Sequence, residues 1–297
     1  MNDRRLLLVH AHPDDESIMT GAIMAYYAAQ DVAVTLITCT LGEEGEVLTP
    51  EYAQLAADQA DQLGGLRIGE LADALDALGV TDHRWLGGAG RFRDSGMIGT
   101  PPNDNPRAFW RADKDPGVFD EAVAAAVDIV REVRPQVVVT YDPNGDYGHP
   151  DHIMAHRVAT AAVERAADPG YRSGDPWQVA KLYWTGIPKS VLQRGFDALA
   201  GVEERPFDVA NIDELSFGVP DEQITSVVDA TGFGAHKMAA LAAHRTQIAV
   251  DGPFFALSNM LGREILALEY FRLALGELGP DRGENGWETD LFSGVAR

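Results

Sequence analysis

The sequence predicts an α/β protein with a Rossmann-like, largely parallel sheet, helices on both faces and a smaller C-terminal region. Three observations support this fold class. Short runs of apolar residues alternate with segments of helical periodicity through the first half of the chain. The apolar runs are rich in β-branched and aliphatic residues, as in strands buried on both faces. Polar turns with Gly, Pro and Asp separate the segments, and alternating strands and helices are typical of a parallel sheet.

The first two strands are predicted at residues 6–10 and 32–38, which are continuous apolar runs. Between them, apolar residues recur at helical spacing from 18 to 30 and predict an amphipathic helix. Further helices are predicted around 52–63 and 68–78, the second ended by Gly79, and residues 84–86 resemble a short third strand.

Residues 87–117 are rich in Gly, Pro and Asp and form a loop too long for a simple connection, which favours a binding loop. A helix at 119–133 and a β-branched strand at 136–141 follow it. Later in the chain the pattern predicts a strand at 181–185, a helix at 235–247, and a segment at 265–275 that is apolar but ambiguous between helix and strand. The expected division is a domain at 1–186 and a smaller region at 187–297.

The charge balance excludes some classes of partner. Asp and Glu number 46 against 24 Lys and Arg, so the net charge of −22 would repel nucleic acid and acidic membranes. The chain has one cysteine, Cys39, which cannot form an intrachain disulfide and so favours a reducing compartment. The first residues show no signal-peptide pattern, and no apolar stretch approaches the roughly 20 residues that a membrane span needs. We therefore expect a cytoplasmic protein with a small-molecule substrate, while the oligomeric state stays open.

A first polar turn, His12-Pro-Asp-Asp15, follows the first strand and opens a helix. Ligands of open parallel sheets bind beyond the carboxyl ends of the strands, so these side chains stand where a site is expected. His12 and Asp15 are three residues apart, close enough to ligate one ion. Aspartates at a helix start are also common as caps, and Asp14 has that alternative role.

A second polar turn, residues 141–152, follows a later strand and precedes a helix. It holds His149 and His152, again three residues apart. A lone histidine after a strand is usually a hydrogen-bonded loop residue, but two such turns at one edge of a parallel sheet favour a metal site. His12, Asp15 and His152 would offer two nitrogens and one oxygen, which suits catalytic zinc with an open fourth position.

The same ligand set also matches non-haem Fe(II), so Zn²⁺ is expected and Fe²⁺ is possible. The spare carboxylate of Asp14 beside the ligands favours hydrolysis, with Asp14 as the base. His149 could stabilise an oxyanion or protonate the leaving amine, and Asp151 could orient its imidazole. Tyr147 could donate a hydrogen bond to the same oxyanion.

These motifs, HAHPDDE at 10–16 and YGHPDH at 147–152, resemble the LmbE-like (PIG-L) deacetylase superfamily. Segments at 40–46, 61–70, 87–96 and 286–290 resemble in particular its branch that deacetylates N-acetylglucosaminyl-inositol in mycothiol biosynthesis. The similarity is densest over 5–160. The polar stretch 100–115 departs from the family pattern, which leaves its role and the substrate preference open.

The resemblance implies a zinc-dependent amide hydrolase and a role for each matching residue. It implies zinc ligands at His12, Asp15 and His152, a base at Asp14, an oxyanion donor at Tyr147, an acid at His149 beside Asp151, and sugar contacts at Arg67, Asp94 and Glu46. The sugar contacts depend on the resemblance alone.

The expected reaction is removal of the N-acetyl group of 1-O-(2-acetamido-2-deoxy-glucopyranosyl)-myo-inositol, with release of acetate. One alternative is the related amidase that cleaves mycothiol S-conjugates, or another N-acyl amino-sugar deacetylase. A nucleotide-binding protein is disfavoured because no Gly-rich phosphate loop follows a strand. A non-catalytic metal module would be expected to hold a closed, four-coordinate ion.

Overall fold

A seven-stranded sheet lies at the centre of the computed structural model, which describes residues 3–198, 218–250 and 267–295. The strands are β1 (Arg5–His10), β2 (Ala33–Thr38), β3 (Asp82–Trp85), β4 (Val137–Thr140), β5 (Lys181–Thr185), β6 (Ile187–Pro188), β7 (Gly218–Val219), β8 (Ser226–Asp229) and β9 (Leu268–Leu275). The helices of these residues are α1 (Asp15–Ala28), α2 (Leu63–Leu78), α3 (Pro116–Val133), α4 (Gly145–Gly148), α5 (Pro150–Ala166), α6 (Lys189–Ala198) and α7 (Gly234–Ala243). Strands β6 and β7 form a separate pair.

The strand order of the main sheet is β3-β2-β1-β4-β5-β9-β8. Strands β1 to β5 are parallel, and β9 runs antiparallel to both β5 and β8. The chain moves outward from β1 to β3 and then returns to place β4 on the other side of β1. The carboxyl ends of β1 and β4 therefore flank the point where strand order reverses, which is where such sheets bind ligands. The predicted α/β fold class is confirmed.

Helices cover both faces of the sheet because β1 is apolar on both sides. Leu7 and Val9 belong to one core cluster, which also contains buried residues of α3 and α5. Leu6 and Leu8 belong to a second cluster with buried residues of α1 and α2. Alternate residues of a strand point to opposite faces, so a continuous apolar run supplies both layers.

One predicted helix is missing, and the bounds of others differ: α2 begins at Leu63, not at residue 68. No α-helix forms over 52–63, where the chain makes one 3-10 helix (Pro50–Leu55) and then turns. No residue of that 3-10 helix is buried, so this Ala- and Gln-rich segment has no apolar face that packing would stabilise. The helix predicted at 235–247 ends at Ala243, because His244 leaves helical geometry.

The ambiguous segment at 265–275 contains strand β9, and its first two residues lie outside the described part of the chain. Residues beyond the expected boundary at 186/187 thus add β8 and β9 to the main sheet. In the described residues no helix is long and apolar enough to cross a membrane.

A buried ion pair ties the C-terminal segment to this extended sheet. Glu288 accepts from Lys181 Nζ at 2.5 Å, from Ser226 Oγ at 3.2 Å and from the Gly279 backbone N–H at 2.7 Å. The Tyr183 hydroxyl also donates to Glu288. The charged side chains of Lys181 and Glu288 are both buried, so removing either one would leave the other as an uncompensated buried charge.

Replacing Glu288 by Ala should therefore lower the free energy of unfolding by about 3–5 kcal/mol, because the Lys181 ammonium would stay buried without a partner. Chemical denaturation measures this effect. Asp175→Ala is the control, since its ion pair with Arg134 at 2.9 Å is exposed and should contribute less than about 1 kcal/mol. Equal unfolding midpoints for the two variants would contradict the prediction.

Candidate active site

The two polar turns meet at the carboxyl edge of the sheet, as their places in the sequence predicted. The first follows β1 and leads into α1 at Asp15; the second follows β4 and leads into α5 at Pro150. His149 caps α5, because its Nδ1 accepts the Asp151 backbone N–H at 3.1 Å.

Asp15 lies between the two histidines predicted as metal ligands. Its Oδ2 is 3.1 Å from His12 Nδ1, and its Oδ1 is 3.3 Å from His152 Nε2. The Asp15 carboxylate also accepts the His12 backbone N–H at 2.8 Å, which fixes the turn. The structure thus brings together the three residues that the sequence singled out as ligands.

The donor set fits a divalent cation. The Nδ1 of His152 is buried without a hydrogen-bond partner, and its Nε2 has only the Asp15 carboxylate at 3.3 Å, without hydrogen-bond geometry, although buried polar atoms are nearly always paired. His12 Nε2 also faces carboxylates, at 3.3 Å from Asp151 Oδ2 and 3.7 Å from Asp94 Oδ1. Burial opposes a charge on His12, but Asp94, Asp15 and Asp151 raise its pKa well above the usual value. The carboxylates around His12 therefore favour a positive charge at this position, whether a proton or a metal cation supplies it.

A second donor group overlaps the first. One ligand atom each of His12, His149 and His152 lies within 4.8 Å of the others. Three imidazoles, or two with one carboxylate, are both ligand sets of catalytic zinc. The geometry therefore keeps His149 close enough to act either as a ligand or as a group beside the ion.

Asp14 has a strained backbone, with φ of 118° and ψ of −33°. Such a conformation in a non-glycine residue costs on the order of 1–3 kcal/mol and is found most often at functional sites. The alternative role as a helix cap is not supported, because its side chain makes no capping hydrogen bond. The carboxylate instead accepts from Arg67 Nη2 at 2.9 Å. Burial raises the pKa of Asp14 to about 6, against the lowering effect of the Arg67 charge.

The expected contact between the Asp151 carboxylate and His149 was wrong. The carboxylate accepts from the Ser95 backbone N–H at 2.8 Å and from Ser95 Oγ at 2.5 Å, and it contacts His12 Nε2. Only the backbone of Asp151 reaches His149, because the first turn of α5 directs the side chain toward the 87–117 loop. Asp151 therefore orients His12, which is the usual position of a carboxylate behind a metal-binding histidine.

His149 and Tyr147 border the same cavity with neutral donors. Burial, together with the charges of His12 and His152, lowers the pKa of His149 to about 3. Its Nδ1 accepts a backbone N–H, so the proton of the neutral ring is assigned to Nε2. Tyr147 is 44% exposed, and partial burial with the nearby carboxylates raises its pKa, so the phenol stays protonated.

Of the three residues expected to contact a sugar, Arg67 and Asp94 line the cavity and Glu46 does not. Asp94 is buried in the cavity wall, where Oδ1 accepts the Gly96 N–H at 2.8 Å and Oδ2 accepts the Glu44 N–H at 3.2 Å. Arg67 is also buried, and it donates to Gly42 O at 2.7 Å, to Pro13 O and to Asp14.

The structure does not bring Glu46 to the cavity. Its side chain is exposed, and Glu44 lines the cavity instead. The turn closed by the Gly45 N–H on Gly42 O at 3.3 Å determines which glutamate faces inward. Two residues that are two positions apart in a turn can point their side chains in different directions. A sequence motif does not show which of the two side chains faces the cavity.

The cavity measures about 490 Å³ and joins parts of the chain that are far apart in sequence. Its polar wall carries the residues described above, and its apolar wall includes Met19, Met97, Ile187 and Ile248. Sequence reasoning missed this apolar wall, because single apolar residues on four separate segments form no motif.

Asp146 was also missed. It lines the cavity with φ of 57°, its Oδ2 is buried without a partner, and burial raises its pKa to about 7. An aspartate inside a Gly-rich turn is ordinarily a turn former, so the sequence offered no signal beyond its position next to Tyr147.

Known proteins resemble this chain along nearly its whole length. A relative from Geodermatophilus obscurus, named 1D-myo-inositol 2-acetamido-2-deoxy-alpha-D-glucopyranoside deacetylase, is 62% identical over 296 residues, with 98% of each chain covered. A relative of the same name from Thermobispora bispora is 56% identical, with 99% of this chain and 100% of the relative covered.

Among solved structures, the conserved protein TT1542 from Thermus thermophilus shares the fold. The TM-score is 0.56 at 24% identity, with 94% of this chain and 98% of that chain covered. The family model described as PIG-L, GlcNAc-PI de-N-acetylase, matches residues 7–163, which include both polar turns. On this match and on the identity to its relatives, the chain belongs to the PIG-L de-N-acetylase family.

Proposed function

We propose that the protein is a zinc-dependent deacetylase of 1-O-(2-acetamido-2-deoxy-glucopyranosyl)-myo-inositol, which yields acetate and glucosaminyl-inositol for mycothiol biosynthesis. The observation that carries the proposal is a strained, half-buried carboxylate, Asp14, in one cavity with the proposed metal ligands His12, Asp15 and His152. The relatives named for this activity align over nearly the whole chain and support the choice of substrate. The single cysteine, Cys39, is buried and free, which supports a cytoplasmic location.

His12, Asp15 and His152 would hold the metal. A zinc ion bound there would make a bound water more acidic and polarise the amide carbonyl. Zinc is proposed because two imidazoles and one carboxylate with an open fourth position are a ligand set of catalytic zinc. Asp151 and Ser95 fix the ring of the ligand His12 from behind.

Asp14 is proposed to accept a proton from the water that attacks the amide carbonyl, and then to deliver it to the departing amine. A base is most effective when its pKa lies near the working pH, and the raised pKa of Asp14 moves in that direction. Arg67 holds one carboxylate oxygen, which leaves the other oxygen for the proton. One residue thus serves as base and then as acid.

Tyr147 and His149 are proposed to stabilise the negative charge that develops on the carbonyl oxygen. Both carry a neutral donor at the cavity, which makes hydrogen bonding to an oxyanion the better assignment for His149 than protonation of the amine. Asp94, Glu44 and Arg67 are proposed to face the hydroxyl groups of the sugar, because they form the polar wall beside the base.

The apolar wall gives a specific reason to test a second substrate class, the mycothiol S-conjugates, whose acyl group is larger than acetyl. Met19, Met97, Ile187 and Ile248 would contact such a group. Removal of an acetyl group uses little of this surface.

Parallel assays decide between the two. With purified protein loaded with zinc, acetate release from N-acetylglucosaminyl-inositol should exceed amine release from an S-conjugate by at least about 10-fold in kcat/KM, a difference of about 1.4 kcal/mol in transition-state binding. N-acetylglucosamine without inositol serves as the control for recognition of the aglycone. A faster reaction with the S-conjugate would replace the proposed substrate, and no amide hydrolysis of any kind would overturn the proposal.

A further inference from the structure

The backbone of Asp14 is held by the side chain of Glu16. The Asp14 N–H donates to Glu16 Oε2 at 2.9 Å, two residues along the chain. A non-glycine residue does not remain at φ of 118° unless its surroundings impose that conformation. This hydrogen bond acts on the backbone, whereas Arg67 acts on the carboxylate from the opposite end of the residue.

Glu16 is itself fixed by a distant histidine. Its Oε1 lies 2.7 Å from His244 Nε2 and accepts a hydrogen bond from the Ser17 hydroxyl at 2.5 Å. Glu16 and His244 are both fully buried, so water does not compete for either group. A hydrogen bond between charged partners in such surroundings is short and directional.

His244 comes from the C-terminal part of the chain, just after α7. Two residues later, Thr246 is anchored to Glu70 of α2 through its N–H at 3.0 Å and its hydroxyl at 2.8 Å. The residues that follow, Gln247 and Ile248, line the cavity. The segment that presents His244 to Glu16 is therefore rigidly attached and also forms part of the substrate cavity.

We propose that Glu16 and His244 are positioning residues that keep Asp14 in its strained, reactive conformation. The proposal rests on the proposed function, because it takes Asp14 as the base. Neither side chain lines the cavity. They act through the Asp14 backbone: when its N–H is released, Asp14 can relax to negative φ and carry its carboxylate away from the cavity and from Arg67.

The central variant is Glu16→Ala, compared with Glu16→Gln. We expect Glu16→Ala to lower kcat by about 10- to 100-fold with KM nearly unchanged, as for misplacement of a catalytic group by about 1 Å. Glu16→Gln should recover most of the activity, because its amide oxygen still accepts the Asp14 N–H. His244→Ala should fall between the two, since it leaves the acceptor in place but loosens it.

Glu269→Ala is the matched control. Glu269 is likewise a buried carboxylate that contacts α1: it accepts the N–H groups of Ala22 and Ile23 at 3.0 and 2.9 Å and pairs with Lys237 of α7 at 2.7 Å. This variant should lower the thermal midpoint about as much as Glu16→Ala while leaving kcat of the folded enzyme close to wild type. If Glu16→Ala does not fold, Glu16→Gln and His244→Ala carry the test.

Three readouts separate positioning from a general loss of structure. Zinc content should stay at one ion per chain in every variant; loss of zinc in the Glu16 variants would overturn the proposal by placing the effect on Asp15. In an Asp14→Asn background, Glu16→Ala should have no further effect on kcat, and an undiminished effect would likewise overturn it. Crystal structures should show that the φ of Asp14 leaves 118° in Glu16→Ala. An unchanged φ would contradict the proposal whatever the substrate proves to be, so this result is independent of the proposed function.

Discussion

Replacing Asp14 by Asn should lower kcat by about 10²- to 10⁴-fold, the usual contribution of a general base. Asparagine has nearly the same shape and keeps an oxygen for the Arg67 hydrogen bond, which is 2.9 Å long in the structure. It cannot accept the proton from the attacking water. Because Asp14 is not among the proposed metal ligands, zinc content should remain at one ion per chain. Steady-state acetate release and metal analysis on the same preparation measure both quantities.

Asp31→Asn is the matched control for this variant. Asp31 is also an aspartate at positive φ, but it is exposed and lies in the turn after α1. The same chemical change there should leave kcat unaltered. Full turnover by Asp14→Asn with normal zinc content would show that another group, such as Asp146, takes the proton.

Replacing His152 by Ala should remove both the metal and the activity. The loss of one of the three proposed ligands would leave a cation with too few donors, and even residues behind a ligand typically contribute about 10- to 100-fold to metal affinity. We expect zinc content far below one ion per chain and turnover no higher than that of the chelator-treated wild type. His156→Gln is the control on the same helix, one turn further on, where the amide can replace the contact of His156 Nδ1 with Tyr141 O at 2.9 Å.

The same metal analysis distinguishes the two overlapping donor groups. If Asp15 is the third ligand, Asp15→Ala loses zinc while His149→Ala retains zinc and loses activity. The reverse result would make His149 a ligand and would remove it from its proposed role as an oxyanion donor. The distances permit both outcomes, because Asp15 and His149 both lie beside His12 and His152.

The first part of the fold was predictable because its signals are local. Strand β1 and helices α2 and α3 show their periodicity within fewer than twenty consecutive residues, and burial on the sheet follows from that pattern. Strand β9 was ambiguous because it is half-buried and its pairing partners, β5 and β8, lie elsewhere in the chain. The helix expected at 52–63 does not form although the composition of the segment favours a helix, because no residue from 52 to 62 is buried against the rest of the protein.

In the candidate site, too, some residues could be predicted from local sequence and others could not. The spacing of His12 and Asp15 after one strand and of His152 after another placed all three at one sheet edge, and the structure brings them into contact. The assignments of Arg67 and Asp94 to the sugar came from family resemblance, and the structure adds that Arg67 also holds Asp14.

The fold class, the two turns that form the site and the chemistry of their side chains could be predicted from the sequence, because each depends on residues that are neighbours in the chain. The groups that support those turns became visible only in the folded protein. The contact of Asp151 with His12 joins residues 139 positions apart, and that of His244 with Glu16 joins residues 228 apart. Such pairings depend on how helices and loops pack around the sheet. Packing is a property of the whole folded chain, and no local pattern of residues specifies it.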